Sequence, residues 1–138
     1  MYNPQLVQPM REELTSAGVQ ELTDPDGVDA ALASGSGTVL LVVNSVCGCA
    51  AGAARPAVLL ALKHSTVPDK AVTVFAGQDK EATERARSYL TGYPPSSPSM
   101  ALLQNGEVVY MLHRHDIEGK NAAQIAQDLA QAFDRFCQ

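Results

Sequence analysis

The sequence predicts an α/β fold, a mixed sheet flanked by helices with an extra helix at the N-terminus. Three observations carry this. Val39-Leu40-Leu41-Val42-Val43 is apolar without alternation, which suits a strand covered on both faces. Helical patterns and short β-branched runs alternate from Val19 to Leu90, the pattern of parallel strands joined by crossover helices. Asn105-Gly106 separates two strand-like runs and is a strong type I′ hairpin signal, so the chain closes on antiparallel strands. A chain of 138 residues is long enough to bury a core, and the expected organisation is one domain over residues 1–138, with 1–18 as a helical extension.

Taken in order, Gln5 to Ser16 has Leu6, Val7, Met10 and Leu14 at helical spacing, with Pro9 expected in the first turn and Gly18 as terminator. Val19 to Leu22 reads as a short edge strand. Thr23-Asp24-Pro25-Asp26 starts a helix with Val28, Ala31 and Leu32 on its apolar face, and Ser34 to Gly37 is a turn into the central strand. Ala50 to Lys63 is alanine-rich and helical, weakened by Gly52 and expected to kink or lose one backbone hydrogen bond at Pro56. A loop at Val67 to Lys70 leads to a buried strand, Val72 to Ala76. Lys80 to Leu90 is an exposed helix with only Ala82, Ala86 and Leu90 to bury. A proline-rich loop, Thr91 to Pro98, precedes the hairpin strands Ser99 to Leu103 and Glu107 to Leu112. Asn121 to Phe136 is an amphipathic helix with Ile125, Leu129, Ala132, Phe133 and Phe136 on one face.

Composition narrows the function. A net charge of −5 argues against a nucleic-acid partner, and no apolar run approaches membrane-spanning length. The N-terminus lacks a basic stretch followed by an apolar one, so it does not read as a secretory signal. Three cysteines make a poor disulfide framework; a catalytic dithiol in the reducing cytoplasm fits better.

The chemistry centres on Cys47-Gly48-Cys49, between the central strand and the alanine-rich helix. Asn44-Ser45 closes the strand, and Ser45 is placed to cap the turn beyond it. A cysteine at a helix N-terminus meets unpaired N–H groups and the positive end of the helix dipole, which favour the nucleophilic thiolate. Cys47 is therefore expected to have a lowered pKa. Cys49 lies within disulfide reach across Gly48, whose missing side chain relaxes the dihedrals that so small a ring demands. A pair of buried structural thiols is the plainer alternative. A zinc or copper(I) module built on Cys47, Cys49 and a histidine is another, though only a Cys-x-Cys is local where structural zinc sites normally show four ligands.

Other polar residues have weaker claims. His113-Arg114-His115 offers a base, a positive patch or metal ligands, but reads most simply as solvated residues at a strand end. Arg55 is over two turns along the helix and is expected to face solvent or bind a helix neighbour. Asp79, in Gln78-Asp79-Lys80, is expected to cap its helix. Cys137, the penultimate residue, is expected to be a frayed terminal thiol.

Two segments carry a resemblance to thioredoxins. The redox turn follows a buried strand and opens a helix, and Ser97-Pro98-Ser99-Met100-Ala101-Leu102-Leu103 resembles the thioredoxin segment in which a cis-proline precedes the hairpin strand. That resemblance implies a thioredoxin-like fold. It also implies a cis Pro98 packed against the cysteines, with the backbone at Ser97 free to pair with an extended substrate. The sequence departs from thioredoxins in having Asn44-Ser45-Val46 where a tryptophan precedes the first cysteine, and CxC in place of CxxC. It is more similar to the bacilliredoxin family, through Val42 to Ala57, Val72 to Thr83, Pro94 to Leu103 and Arg114 to Gly119. The family resemblance implies a cytoplasmic oxidoreductase whose co-substrate is the low-molecular-weight thiol bacillithiol, with no metal, and whose partners are S-bacillithiolated client proteins. Cys47 then attacks the bacillithiol sulfur, and free bacillithiol or Cys49 releases it. Weak disulfide isomerase activity is the runner-up.

Overall fold

The computed structural model describes residues 1–33 and 35–138. Its secondary structure runs α1 (Pro4–Thr15), β1 (Gln20–Glu21), α2 (Pro25–Leu32), β2 (Thr38–Asn44), a π-helical turn (Ala50–Ala54), α3 (Arg55–Ala61), β3 (Lys70–Phe75), α4 (Lys80–Ser88), β4 (Ser99–Gln104), β5 (Glu107–Leu112), α5 (Arg114–Ile117) and α6 (Ala122–Phe136). The sheet order is β1-β3-β2-β4-β5. β1, β3 and β2 are parallel, whereas β4 is antiparallel to β2 and to β5, which is the mixed sheet the sequence predicts.

Every residue of β2 is buried, because both faces of the sheet are covered. Leu40 and Val42 face a core built with Leu14, Val58, Ile125, Leu129 and Phe133. Val39, Leu41 and Val43 face a second core built with Val28, Leu32, Ala82 and Ala86. Each buried Val or Leu side chain is worth about 2 kcal/mol relative to exposure, so this strand is fixed firmly in place.

Several local expectations change. The N-terminal helix begins at Pro4, capped by Asn3, so Pro9 lies inside it, beyond the first turn. Val7 and Leu14 are its buried residues, while Leu6 is 53% exposed. Pro56 lacks the N–H that would continue the ladder, and the helix answers with the π-helical turn just before it. The short helix α5 has no apolar periodicity to announce it; buried Ile117 anchors it, and the Asp116 carboxylate accepts the His113 N–H at 2.9 Å. Ser34, first residue of the predicted Ser34 to Gly37 turn, lies outside the described residues. At the hairpin, Asn105 and Gly106 both have positive φ, 52° and 85°, as a type I′ turn requires.

The register brings distant segments to one edge. β2 ends at Asn44 beside Phe75, the end of β3. Val43 pairs with Ser99, the start of β4, and Met100 pairs with Leu112, the end of β5. The turns after β2, β3 and β5 and the loop before β4 therefore converge.

Candidate active site

Cys47 is set by the turn that leaves β2. Its N–H donates to the Ser45 hydroxyl at 3.0 Å, and Ser45 N–H donates to Asn44 Oδ1 at 2.8 Å. Ser45 thus braces the turn and does not cap the helix, whose N-cap is Cys49 with no side-chain cap bond. The carbonyl of Cys47 accepts from the N–H groups of Ala50 and Ala51, starting the helical path. Both cysteines are partly exposed free thiols, their sulfurs 2.6 Å apart. Gly48 between them is exposed, has no left-handed φ, and a Cβ there would meet no atom within 4 Å.

The two thiols titrate in opposite directions. Cys47 is held below the ordinary thiol range, first by a hydrogen bond from the Cys49 side chain and then by the Cys49 N–H; the charge of Arg114 adds to this, and partial burial opposes it. Cys49 is pushed up, first by burial and then by its hydrogen bond to Cys47 and the charge there. The direction for Cys47 is the one expected, but its leading cause is the neighbouring thiol more than the helix end.

The loop before β4 reaches the same sheet edge. The Ser97–Pro98 peptide bond is cis, as the resemblance to thioredoxins implies, and Pro98 is buried. Arg114, which enters from the end of β5, joins the two segments. Its guanidinium donates to Cys47 Sγ at 3.3 Å and to the Ser97 carbonyl at 3.3 Å, and its backbone N–H donates to Ser96 Oγ at 3.2 Å. The sequence offers His113-Arg114-His115 as a base, a positive patch or metal ligands, and the stretch reads most simply as solvated residues; the contact to Cys47 belongs to the arginine. His115 is 79% exposed and its ring stacks on His113 at 5.2 Å; neither histidine is hydrogen-bonded to a sulfur. The signal in residue order, an unshifted hairpin, points to His113 opposite Pro98; the observed register, extended past Met100–Leu112, puts Arg114 there.

Three other expectations are overturned. Arg55 does not face solvent: its side chain is 2% exposed. It donates to Ser45 O at 2.8 Å, to Asn44 Oδ1 at 3.0 Å and to Glu13 Oε2 at 3.0 Å, tying α1 to the turn that carries Cys47. Its burial is matched by acceptors from two elements, the end of β2 and α1, which a helix read alone does not contain. Asp79 stands at the start of α4 but makes no cap bond; Arg11 takes its carboxylate in a fork at 2.6 and 3.1 Å. Cys137 is not frayed. It caps α6 through a 2.8 Å bond from its N–H to Phe133 O and packs half-buried against the first core.

Among the described residues, no three His, Cys, Asp or Glu side chains gather closely enough to hold a metal ion. Nor is any helix among them long and apolar enough to cross a membrane.

Comparison with known proteins agrees with this geometry. A family model described as disulphide isomerase matches residues 2–137. A bacilliredoxin from Koribacter versatilis (strain Ellin345) is 54% identical over 137 residues, covering 99% of this chain and 94% of that protein. A bacilliredoxin from Salinibacter ruber (strain DSM 13855 / M31) is 58% identical over 139 residues, covering 99% of this chain and 81% of that one. Among solved structures, oxidised thioredoxin from Plasmodium falciparum matches with a TM-score of 0.56 at 17% identity, over 84% of this chain and 99% of its own, a likeness of fold. With a dithiol at the end of the central strand of a thioredoxin fold, the chain belongs to the bacilliredoxin family of thiol–disulfide oxidoreductases.

Proposed function

We propose that the protein removes bacillithiol from mixed disulfides on client proteins, with Cys47 as the attacking sulfur. The observation that carries this is the asymmetry of the pair. Cys47 is the thiol whose pKa is lowered and whose sulfur touches a cation, while Cys49 is held protonated beside it as a donor. The Cys47 thiolate attacks the bacillithiol sulfur, the client–bacillithiol S–S bond breaks, and its electron pair leaves with the client sulfur as a thiolate. A new S–S bond joins Cys47 to bacillithiol, so the step exchanges disulfides without net oxidation. Free bacillithiol, or Cys49 in a second exchange, then releases the adduct. Ser97 and Pro98 line the approach, where a client backbone pairs with the edge beside the cis bond. The clients are S-bacillithiolated proteins, and a reducing cytoplasm is the compartment this chemistry requires.

The bacilliredoxin relatives support the bacillithiol assignment by their names. The family model's description favours general disulfide exchange or isomerisation as a second reading.

One experiment separates them. Cys49→Ser protein is mixed with a bacillithiolated test protein and its intact mass is measured. A gain of one bacillithiol on Cys47 with release of the client is expected. A covalent client–protein disulfide in its place would shift the assignment to general exchange. No adduct of either kind would overturn the role given to Cys47.

A further inference from the structure

The guanidinium of Arg114 touches Cys47 at an exposed edge of the site. It makes three contacts: Nε to Glu118 Oε1 at 3.2 Å, one terminal nitrogen to Ser97 O at 3.3 Å, and the other to Cys47 Sγ at 3.3 Å. Only the Glu118 contact is to an oxygen anion, and at 3.2 Å it is longer than the 2.7–2.9 Å usual for such a bond. The Arg114 side chain is 45% exposed, so an anion arriving from solvent can reach it. The Glu118 pair is a surface contact one helical turn away, weak by nature. Asp116, the other nearby acid, is occupied by the N–H of His113.

Charge balance distinguishes one incoming thiol from another. Before exchange the guanidinium faces a thiolate. After exchange the Cys47 sulfur is part of a neutral disulfide, and the cation loses that partner. A small thiol with a carboxylate a few bonds from its sulfur restores the charge at the same place. A neutral thiol leaves Arg114 with Glu118 and a carbonyl. The site is thus destabilised by a neutral adduct and compensated by an anionic one.

We infer that Arg114 is a specificity-determining residue that selects small thiols bearing a carboxylate, binding that carboxylate as the Cys47 thiolate is consumed. The inference rests on the proposed role of Cys47 as the attacking sulfur. Stabilising the thiolate alone would speed exchange with every small thiol alike. Selecting a carboxylate changes the ratio between thiols, and that ratio is what separates the two roles.

The test uses one client protein carrying either 3-mercaptopropionate or 2-mercaptoethanol as its mixed disulfide. Release of the client thiol is timed with the wild-type chain, R114Q and R114K, and intact mass reports the small thiol on Cys47. The wild type is expected to prefer the carboxylate-bearing adduct by about fivefold, the scale of one partly exposed charge pair. R114Q should bring the ratio close to one even if it slows both reactions, and R114K should keep part of the preference. A wild type that takes up both thiols without discrimination, or an R114Q that keeps the preference, overturns the assignment. A wild type that releases the client from neither mixed disulfide overturns the role of Cys47 itself, an outcome distinct from reaction without selectivity.

Discussion

The two ends of β2 hold cysteines in opposite surroundings. At its C-terminal end Cys47 receives hydrogen bonds from a thiol and backbone N–H groups and lies against a guanidinium. At its N-terminal end Thr38 and Asp69 are cross-bonded at 3.0 and 2.9 Å, and Cys137 sits beside them at the end of α6. There burial pushes the thiol up, and the charge of Asp69 pushes the same way against a bond to Thr38. The side chain is the same in both places; donors and a cation favour the thiolate in one, and cover with a carboxylate disfavours it in the other. Reactivity is therefore a property of the strand end and its neighbours, more than of the cysteine.

The largest effect should come from exchanging the two ends. Cys47→Ser should abolish release of the client from a mixed disulfide, while Cys137→Ser should leave the rate within about twofold of wild type, as expected for a change outside the reacting groups. A timed assay of free client thiol reads both. Loss of activity in Cys137→Ser would break the comparison, because it would give the half-buried thiol a part in the reaction.

The next effect is on stability, at the support beneath the reactive end. Arg55→Met removes the donor that reaches Ser45 O, Asn44 Oδ1 and Glu13 together. Breaking a buried charged network by deleting one partner should cost about 3 kcal/mol. Urea unfolding followed by circular dichroism would show it as a lower midpoint. A midpoint unchanged from wild type would mean that the turn carrying Cys47 is held without the arginine. Lysine at the same position should recover little, because it cannot span three acceptors with one fork.

The comparison also shows what could be read from residue order. The unbroken apolar run of β2 gave away its double cover, since no half-exposed strand tolerates Val39 to Val43 without a polar partner. The Asn105-Gly106 turn was legible because it has a local backbone requirement, whereas the cis bond before Pro98 was legible only through the resemblance to thioredoxins. Arg114 was not, for a reason one residue wide. An ideal two-residue hairpin would set His113 opposite Pro98. Pairing shifts between Leu102 and Leu103, with Val109 as the extra residue of β5, and Arg114 comes into place instead. No propensity announces that bulge. Arg55 was hidden for a different reason: its partners lie on α1 and at the end of β2, so its burial depends on tertiary packing that a helical-wheel argument does not contain.

Removing the neighbouring donor should have a smaller effect than removing Cys47. In Cys49→Ala the largest cause of the low Cys47 pKa is gone. The midpoint for alkylation of Cys47 by iodoacetamide should move to higher pH than in wild type, and the rate at neutral pH should fall accordingly. The sign comes from which form the bond favours. The Cys49 S–H donates to the thiolate, so its loss makes the thiolate harder to form. Cys49→Ser, which keeps a donor, should lie between the two. A midpoint that does not move in Cys49→Ala would assign the lowering to Arg114 and the backbone.

The smallest effect should come from Glu118, which shares Arg114 with Cys47 on the exposed face of the site. Glu118→Ala removes a competitor for the guanidinium. Arg114 then leans its full charge on the sulfur, and the Cys47 alkylation midpoint should shift slightly further down, opposite in sign to Cys49→Ala. The urea midpoint should stay where it is, since the pair is exposed and screened. The double variant, Glu118→Ala with R114Q, sharpens the point. If Glu118 acts on Cys47 only through the arginine, the shift disappears once the arginine is gone, and the double variant titrates like R114Q alone. A shift that survives without Arg114 would show a direct action of the carboxylate on the thiol, and would break the claim that Glu118 works through the cation.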